Sequence, residues 1–392
     1  MASGDQHSDR PEGTIGRISP KEAHRRLAKG AVLIDVRNPG EIALGMPEGA
    51  HSLLPEVLES RIPELARPDD AVMLVCATGP RADRAAQRLE RLGYRNLSVV
   101  NGGMSRWQLE GLPCVRNERF EVEDAERYAR QMNLPELGVE GQAKLAAARV
   151  GLIGAGGLGS PAALYLAAAG VGTLGIIDDD RVDRSNLHRQ VLHRDDRIGT
   201  AKTDSARATL EALNPGIRVE THRLRLAPDN VEEVFSGYRV IVDGSDNFAT
   251  RYLVNDACLR LGLPNVYGAV QRFEGQVSVF PAGGRPCYRC LFPEAPDAGL
   301  APSCDEAGVL GVVPGIIGLL QALEVIKLVT GIGEPLAGRL LLFDARATRF
   351  RELALGANPG CSHCAPGCEV AGYSDTAVGC RSAESSAERL DD

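Results

Sequence analysis

The sequence predicts an α/β protein made of two successive strand–helix units, and three observations carry that expectation. An apolar strand pattern twice ends in a glycine-containing turn and runs into a helix, first in "AVMLVCATGPRADRAAQRLERLGY" and again in "RVGLIGAGGLGSPAALYLAAAG". Aromatics make up 4% of the chain while aliphatic residues and 44 glycines are abundant, as suits alternating strands and helices joined by tight turns. The 392 residues suffice for two or three domains, each long enough to bury its own core.

Charge and hydropathy narrow the function classes. The formal net charge of −8 supplies no phosphate-neutralising surplus, so no nucleic-acid partner is expected. The opening "MASGDQHSDRPEGT" has no apolar stretch of the signal-peptide kind, so residues 1–15 read as a disordered lead and the location as cytoplasmic. No membrane partner is expected either. The apolar run Gly308–Leu323 is too short to span, contains Pro314 and continues into Glu324 and Lys327, which predicts a buried or dimer-facing helix. Ten cysteines without a secretion signal point to metal binding or catalysis rather than disulfides.

The first unit is read over residues 16–115. "AVLIDVRNPGEI" is a buried strand ending in Asp35 and Arg37, and the next strand stops at Cys76. The loop "CATGPR" sets Cys76 beneath the N-terminus of the following helix and Arg81 beside it. Backbone N–H groups, the helix dipole and a guanidinium all favour the thiolate, the form that attacks and carries sulfur. A buried, inert cysteine at a strand end is the alternative. Residues 116–126 are charged and aperiodic, and read as a linker.

The second unit is read over residues 127–365. Arg149–Ile153 is a strand, Gly154, Gly156, Gly157 and Gly159 lie in the turn, and Ser160–Ala169 is a helix whose N-terminus faces an anion. Asp178 closes a second strand, "TLGIIDDD", where an acidic side chain takes ribose hydroxyls. The pattern alone leaves open a nicotinamide or flavin dinucleotide, another adenine nucleotide, and a plain strand–helix turn whose glycines serve close packing. Downstream, Ser185, Asn186, Arg189 and Lys202 form a group of donors that a triphosphate needs and a nicotinamide cofactor does not. "YRVIVDGSDNFATR" offers Asp243 and Asp246, and a carboxylate there suits Mg²⁺ against the phosphates. Cys287 with Cys290, and Cys361 with Cys364, form two CxxC pairs of the kind that hold structural Zn²⁺, with redox disulfides as the alternative. Cys304 pairs with no cysteine at metal spacing. Residues 366–392 form a polar tail expected to be disordered.

Two resemblances follow from these residues. With "LIDVRNPGE", "CATGPR" and the closing "NGGMSRWQLEGLP", including Gly102, Gly103 and Trp107, the first unit resembles single-domain rhodaneses. The four residues between Cys76 and Arg81 suit sulfur chemistry, one fewer than the related phosphatases use. It departs where "GMPEGA" stands in place of the usual histidine and proline before "GA".

From Arg127 to Cys364 the chain resembles the MoeB and ThiF adenylyltransferases, E1-like enzymes that activate ubiquitin-like sulfur carriers. "GAGGLG", "SNLHRQ", "DGSDN", "EGQVSVF", "PCYRC", "GVLGVVPGIIGLLQALEVIK" and "NPGCSHC" carry it in order. The resemblance implies that Gly157 and its neighbours line an ATP site and Asp178 holds the ribose. Asn186, Arg189 and Lys202 would grip phosphates, and Asp246, in "DGSDN" with Asn247, would bind Mg²⁺. It implies that Arg130 reaches the ATP of the opposite subunit, hence a homodimer, and that Cys304 serves as a second cysteine in sulfur transfer. The implied reaction adenylates the C-terminal glycine of a carrier ending in Gly-Gly. A persulfide on Cys76, loaded by a cysteine desulfurase or thiosulfate, would then give a thiocarboxylate. The rhodanese precedes the adenylating domain here, the reverse of the best-known members. A nicotinamide-dependent oxidoreductase and a carrier-binding scaffold without catalysis are the alternatives, and molybdopterin, thiamine, cysteine and secondary-metabolite pathways stay open.

Overall fold

The computed structural model describes residues 15–116, 120, 122–294, 308–370, 372–373 and 381–382. The chain divides into two compact units, Met1–Val139 and Glu140–Asp392. Cys304 and, but for residue 15, the expected lead lie outside the described residues.

In the first unit seven strands form in order: β1 (Gly16–Ile18), β2 (Val32–Asp35), β3 (Met46–Pro47), β4 (His51–Ser52), β5 (Val72–Val75), β6 (Leu97–Val100) and β7 (Cys114–Val115). Five of them make a parallel sheet in the order β1-β6-β5-β2-β4. Helices cover both faces, which is why β5 and β6 are buried at every position and read as unbroken apolar runs. One face packs Leu74, Val99 and Leu89, and the other packs Met73, Val75, Met104 and Trp107.

Part of the stretch read as linker is helical. Residues 122–126, expected as linker, open the helix Val122–Met132, which clusters with the first unit and not the second. Ala125, Tyr128 and Met132 repeat at helical spacing and pack against Ala43 on the helix Pro39–Ala43. A side chain at Gly40 has no room, since its Cβ would lie 2.3 Å from the Ala129 carbonyl oxygen, and the Gly40 N–H donates to Asn133 Oδ1 at 3.0 Å. Charge on the exposed face masked this stripe in the sequence.

The second unit is built on β8 (Arg149–Ile153), β9 (Thr173–Ile177), β10 (Arg218–His222), β11 (Val240–Asp243), β12 (Asn265–Gln271), β13 (Glu274–Phe280), β14 (Arg339–Asp344) and β15 (Arg349–Ala354). They form one sheet in the order β10-β9-β8-β11-β12-β13-β14-β15, parallel as far as β12 and antiparallel beyond. Strand order reverses at β8, which opens a crevice at the carboxyl ends of β8, β9 and β11.

The helix Val312–Thr330 is long and apolar enough to cross a membrane, yet it packs along the helix Gly159–Ala169 and β12. Gln321 Nε2 donates to the Asp243 and Val266 carbonyls at 2.8 and 3.0 Å, and buried Glu324 accepts from the Leu336 N–H. Val312, Leu319 and Leu323 remain on its exposed side.

Part of the expected disordered tail is ordered. β16 (Cys368–Glu369) pairs with β17 (Arg381–Ser382), Val370 is buried, and Arg260 Nη1 donates to its carbonyl at 2.8 Å. Cys368 is disulfide-bonded, a departure from the expectation that the cysteines serve metal and catalysis. The remainder of residues 366–392 lies outside the described residues.

Candidate functional site

Cys76 follows β5 directly and is 1% exposed. The Gly79 N–H donates to its Sγ at 3.1 Å, at the start of the helix Pro80–Arg91, so a backbone donor and a helix N-terminus both face the sulfur. Behind it, the Met104 N–H donates to the Cys76 carbonyl at 2.8 Å and the Ser105 N–H to the Ala77 carbonyl at 3.1 Å. Gly103 makes that approach feasible, because a Cβ there would lie 2.1 Å from the Cys76 carbonyl oxygen. Asp35 and Arg37 form a buried pair at 2.7 Å that ties the end of β2 to the loop through the Gly45 carbonyl.

Arg81 is more engaged than the sequence suggested. Its Nη1 and Nη2 each donate to one oxygen of Glu41 at 2.6 Å, a two-pronged ion pair. The Arg81 hydrogen bond outweighs burial and holds the Glu41 carboxyl below the usual range, so both partners stay charged. Glu41 was missed as a site residue, although it stands in "DVRNPGE".

In the second unit a cavity of about 310 Å³ opens where strand order reverses. Gly154, Gly156, Gly157, Asp178, Arg189, Lys202, Asp246 and Asn247 all line it. The turn is tight. Gly154 has φ +86°, and a Cβ on Gly159 would lie 1.8 Å from the Gly154 carbonyl oxygen. Asp178 locks this turn: one carboxyl oxygen accepts from the Ala155 N–H and the other from the Asp180 N–H, each at 2.8 Å. Burial pushes the Asp178 carboxyl above its usual range, against the pull of Lys202.

Other residues depart from expectation. Ser185 and Asn186 are not in the cavity lining. Ser185 Oγ donates to Asp183 at 2.6 Å, and Asn186 Oδ1 accepts from Arg189 Nη2 at 2.7 Å, so Asn186 orients the arginine. Asp243 is 1% exposed and lies beneath the wall, its Oδ1 accepting from the Ser245 N–H and hydroxyl while Oδ2 has no hydrogen-bond partner among the described residues. Asp246 is therefore the carboxylate of this loop that faces the cavity. Lys202 is 4% exposed and donates to Asp180 Oδ2 at 2.8 Å. Asp180, Leu224, Leu226 and Arg251 were not foreseen. Arg251 props the loop by donating to the Ser245 carbonyl at 3.1 Å, and only folding brings the leucines to the cavity. Arg130 is exposed on the helix Val122–Met132 of the first unit.

Cys287, Cys290, Cys361 and Cys364 converge with their sulfurs all within 4.8 Å of one another. The Cys287–Cys361 and Cys290–Cys364 sulfur separations are 3.7 and 3.3 Å, close to the ~3.8 Å edge of a tetrahedral thiolate set around zinc. The hydrogen bond between Cys287 and Cys361 favours the thiolate on Cys361 and the thiol on Cys287. The set fits a divalent metal. His363 lies 3.9 Å from Asp256, which pairs with Arg289, and is not a member of the cluster.

The ThiF family model matches residues 128–363, and the Rhodanese-like domain model matches residues 19–110. The chain belongs to the ThiF family. It is 51% identical over 251 residues to a sulfur carrier protein adenylyltransferase of Thermus thermophilus, covering 63% of this chain and 93% of that one. To the adenylyltransferase and sulfurtransferase MOCS3-2 of Zea mays it is 51% identical over 239 residues, 61% of this chain and 50% of the relative. To the probable adenylyltransferase/sulfurtransferase MoeZ of Mycobacterium tuberculosis it is 53% identical over 241 residues, 60% of this chain and 62% of the relative. The chain thus spans about half the length of the maize relative. Among solved structures, E. coli MccB with ATP shares the fold, with a TM-score of 0.55 and 24% identity over 66% of this chain and 79% of that one. Membership of the ThiF family decides against the dinucleotide that the glycine turn alone left open.

Proposed function

We propose that this adenylyltransferase and sulfurtransferase activates the C-terminal glycine carboxylate of a ubiquitin-like sulfur carrier with ATP and then sulfurates it through Cys76. One observation carries the reading: the cavity gathers the glycine turn, Asp178, Arg189, Lys202 and Asp246 in a ThiF domain, on a chain that also holds the Cys76 loop.

The residues divide the work. Leu224 and Leu226 offer an apolar wall to the base, and the free lone pairs of Asp178 accept from ribose hydroxyls. Lys202 would exchange Asp180 for phosphate oxygens, with Arg189 held ready by Asn186. Asp246, beside Asn247, would hold Mg²⁺, which supplies charge to neutralise the triphosphate. The carrier carboxylate attacks the α-phosphorus, pyrophosphate leaves, and an acyl-adenylate forms. The terminal sulfur of a Cys76 persulfide then attacks the carbonyl carbon and AMP departs. A second thiol, the role proposed for Cys304, attacks the Cys76 sulfur, takes its place in a disulfide and releases the carrier thiocarboxylate. The sulfur donor is a protein persulfide or thiosulfate. The exposed Val312, Leu319 and Leu323 suit a homodimer contact.

Pyrophosphate exchange into ATP tests the reading. It should require both Mg²⁺ and a small protein ending in Gly-Gly. Exchange independent of the carrier, or none with any carrier, overturns it.

The cysteine cluster carries a second expectation. Elemental analysis should find about one Zn²⁺ per chain, and Cys287→Ser or Cys361→Ser should lose it with about 3 kcal/mol or more of stability, because a four-thiolate site contributes folding energy. Metal-free protein with both pairs oxidised sinks the zinc assignment.

A further inference from the structure

The Cys76 loop contains one cation, Arg81, and that cation is already occupied. Its two terminal nitrogens sit on the two oxygens of Glu41 at 2.6 Å, and both side chains are more than two-thirds buried. Glu41 is itself fixed. It is the third residue of the helix Pro39–Ala43 and accepts from the Asn38 N–H at 3.2 Å, in a capping box. The helix is anchored in turn, through Gly40, against Ala129 and Asn133 of the helix Val122–Met132. The carboxylate is therefore held in place by backbone and packing, not by the arginine alone.

An anionic sulfur donor gains from a free cation near the attacked sulfur, beyond what the backbone donor and helix start supply. Thiosulfate carries two negative charges, and its transfer reads Cys76–S⁻ + S–SO₃²⁻ → Cys76–S–S⁻ + SO₃²⁻, with the S–S bond of the donor breaking as the new one forms. The leaving sulfite keeps both charges, so a guanidinium would favour this step throughout. An alkyl persulfide reacts as Cys76–S⁻ + R–S–SH → Cys76–S–SH + R–S⁻ and needs far less cationic help.

We infer that Glu41 is a positioning residue that sets donor choice: by neutralising Arg81 it disfavours small anionic donors such as thiosulfate and leaves the loop suited to a persulfide carried on a thiol. The inference rests on the reading of Cys76 as the sulfur-carrying thiol.

The test compares kcat/KM for thiosulfate and for an alkyl persulfide of uncharged R group, both with cyanide as acceptor. Glu41→Gln keeps the size and the cap acceptor but removes the charge. It should raise kcat/KM for thiosulfate about tenfold, mainly through KM, as one freed charge-assisted contact is worth roughly that factor, while the persulfide value stays within about twofold. Adding Arg81→Met to Glu41→Gln should erase the gain, since the effect runs through the freed guanidinium. If Glu41→Gln does not fold, Glu41→Asp, which shortens the reach of the carboxylate, should show the same preference in smaller measure. Equal changes for both donors, an unchanged or lower thiosulfate value, or a gain that survives Arg81→Met overturns the inference. Failure of the underlying reading looks different: a Cys76→Ala protein would still transfer sulfur from either donor.

Discussion

Cys76→Ala should lose sulfur transfer from thiosulfate to cyanide by about a thousandfold or more while retaining carrier-dependent pyrophosphate exchange. The first half follows from the loop. Cys76 Sγ is the sulfur that receives the Gly79 N–H at the start of the helix Pro80–Arg91, and removing a covalent nucleophile leaves only the weak catalysis of binding and dipoles. Outside the four-sulfur cluster, neither of the other described free cysteines has a comparable setting. Cys258 is buried, and burial pushes its thiol well up, while Cys114 is raised in the same way. The second half follows from the lining of the nucleotide cavity, whose described residues all belong to the second unit. Alanine should also spare the fold, since the loop is held by backbone bonds from Met104 and Ser105. Activities are measured on protein whose unfolding temperature matches the parent. Full transfer in this variant would assign the persulfide to another cysteine, and loss of exchange would deny the separation of the two activities.

What was legible in the sequence depended on how local its signal is. The turn Gly154–Gly159, the strand end at Cys76 and the CxxC pairs are each set by neighbouring residues, and each lies where a strand, a helix start or a metal spacing demands. Residues that act through distant neighbours were harder to see. Glu41 pairs with a residue 40 positions away, and Leu224 and Leu226 reach the cavity only because β10 lies beside β9 in the sheet. Ser185 and Asn186 share the donor chemistry of Arg189 and Lys202, but their side chains are used locally, one on Asp183 and one on the arginine. The helix Val122–Met132 was hidden because, among its described residues, Ala125, Tyr128 and Met132 are the buried ones and charged residues separate them. Asp243 and Asp246 were offered as equals by composition, and burial alone distinguishes them.

Arg130→Ala and Asp246→Ala proteins should each be inactive in carrier-dependent pyrophosphate exchange, and mixing them should restore about a quarter of the parent rate. Asp246 faces the cavity and is the residue proposed to hold Mg²⁺, so its loss removes the neutralising charge from the triphosphate and should cost about three orders of magnitude. Arg130 is exposed on a helix of the first unit, where a guanidinium can serve a neighbouring subunit. If it acts in trans, each site needs Asp246 from its own chain and Arg130 from the partner. A mixed dimer then has one site with both and one with neither. Random pairing makes about half the dimers mixed, and half of their sites are sound, which gives the quarter. An arginine acting within its own chain predicts a different outcome. Every site in the mixture would then lack one of the two residues, and no mixing ratio would restore activity. Activity is followed against mixing ratio, with subunit exchange verified by mass. Asp246→Ala alone should leave thiosulfate transfer intact, because the Mg²⁺ ligand belongs to the nucleotide cavity. Confirmed exchange of subunits with no return of activity would refute the role of Arg130 in trans.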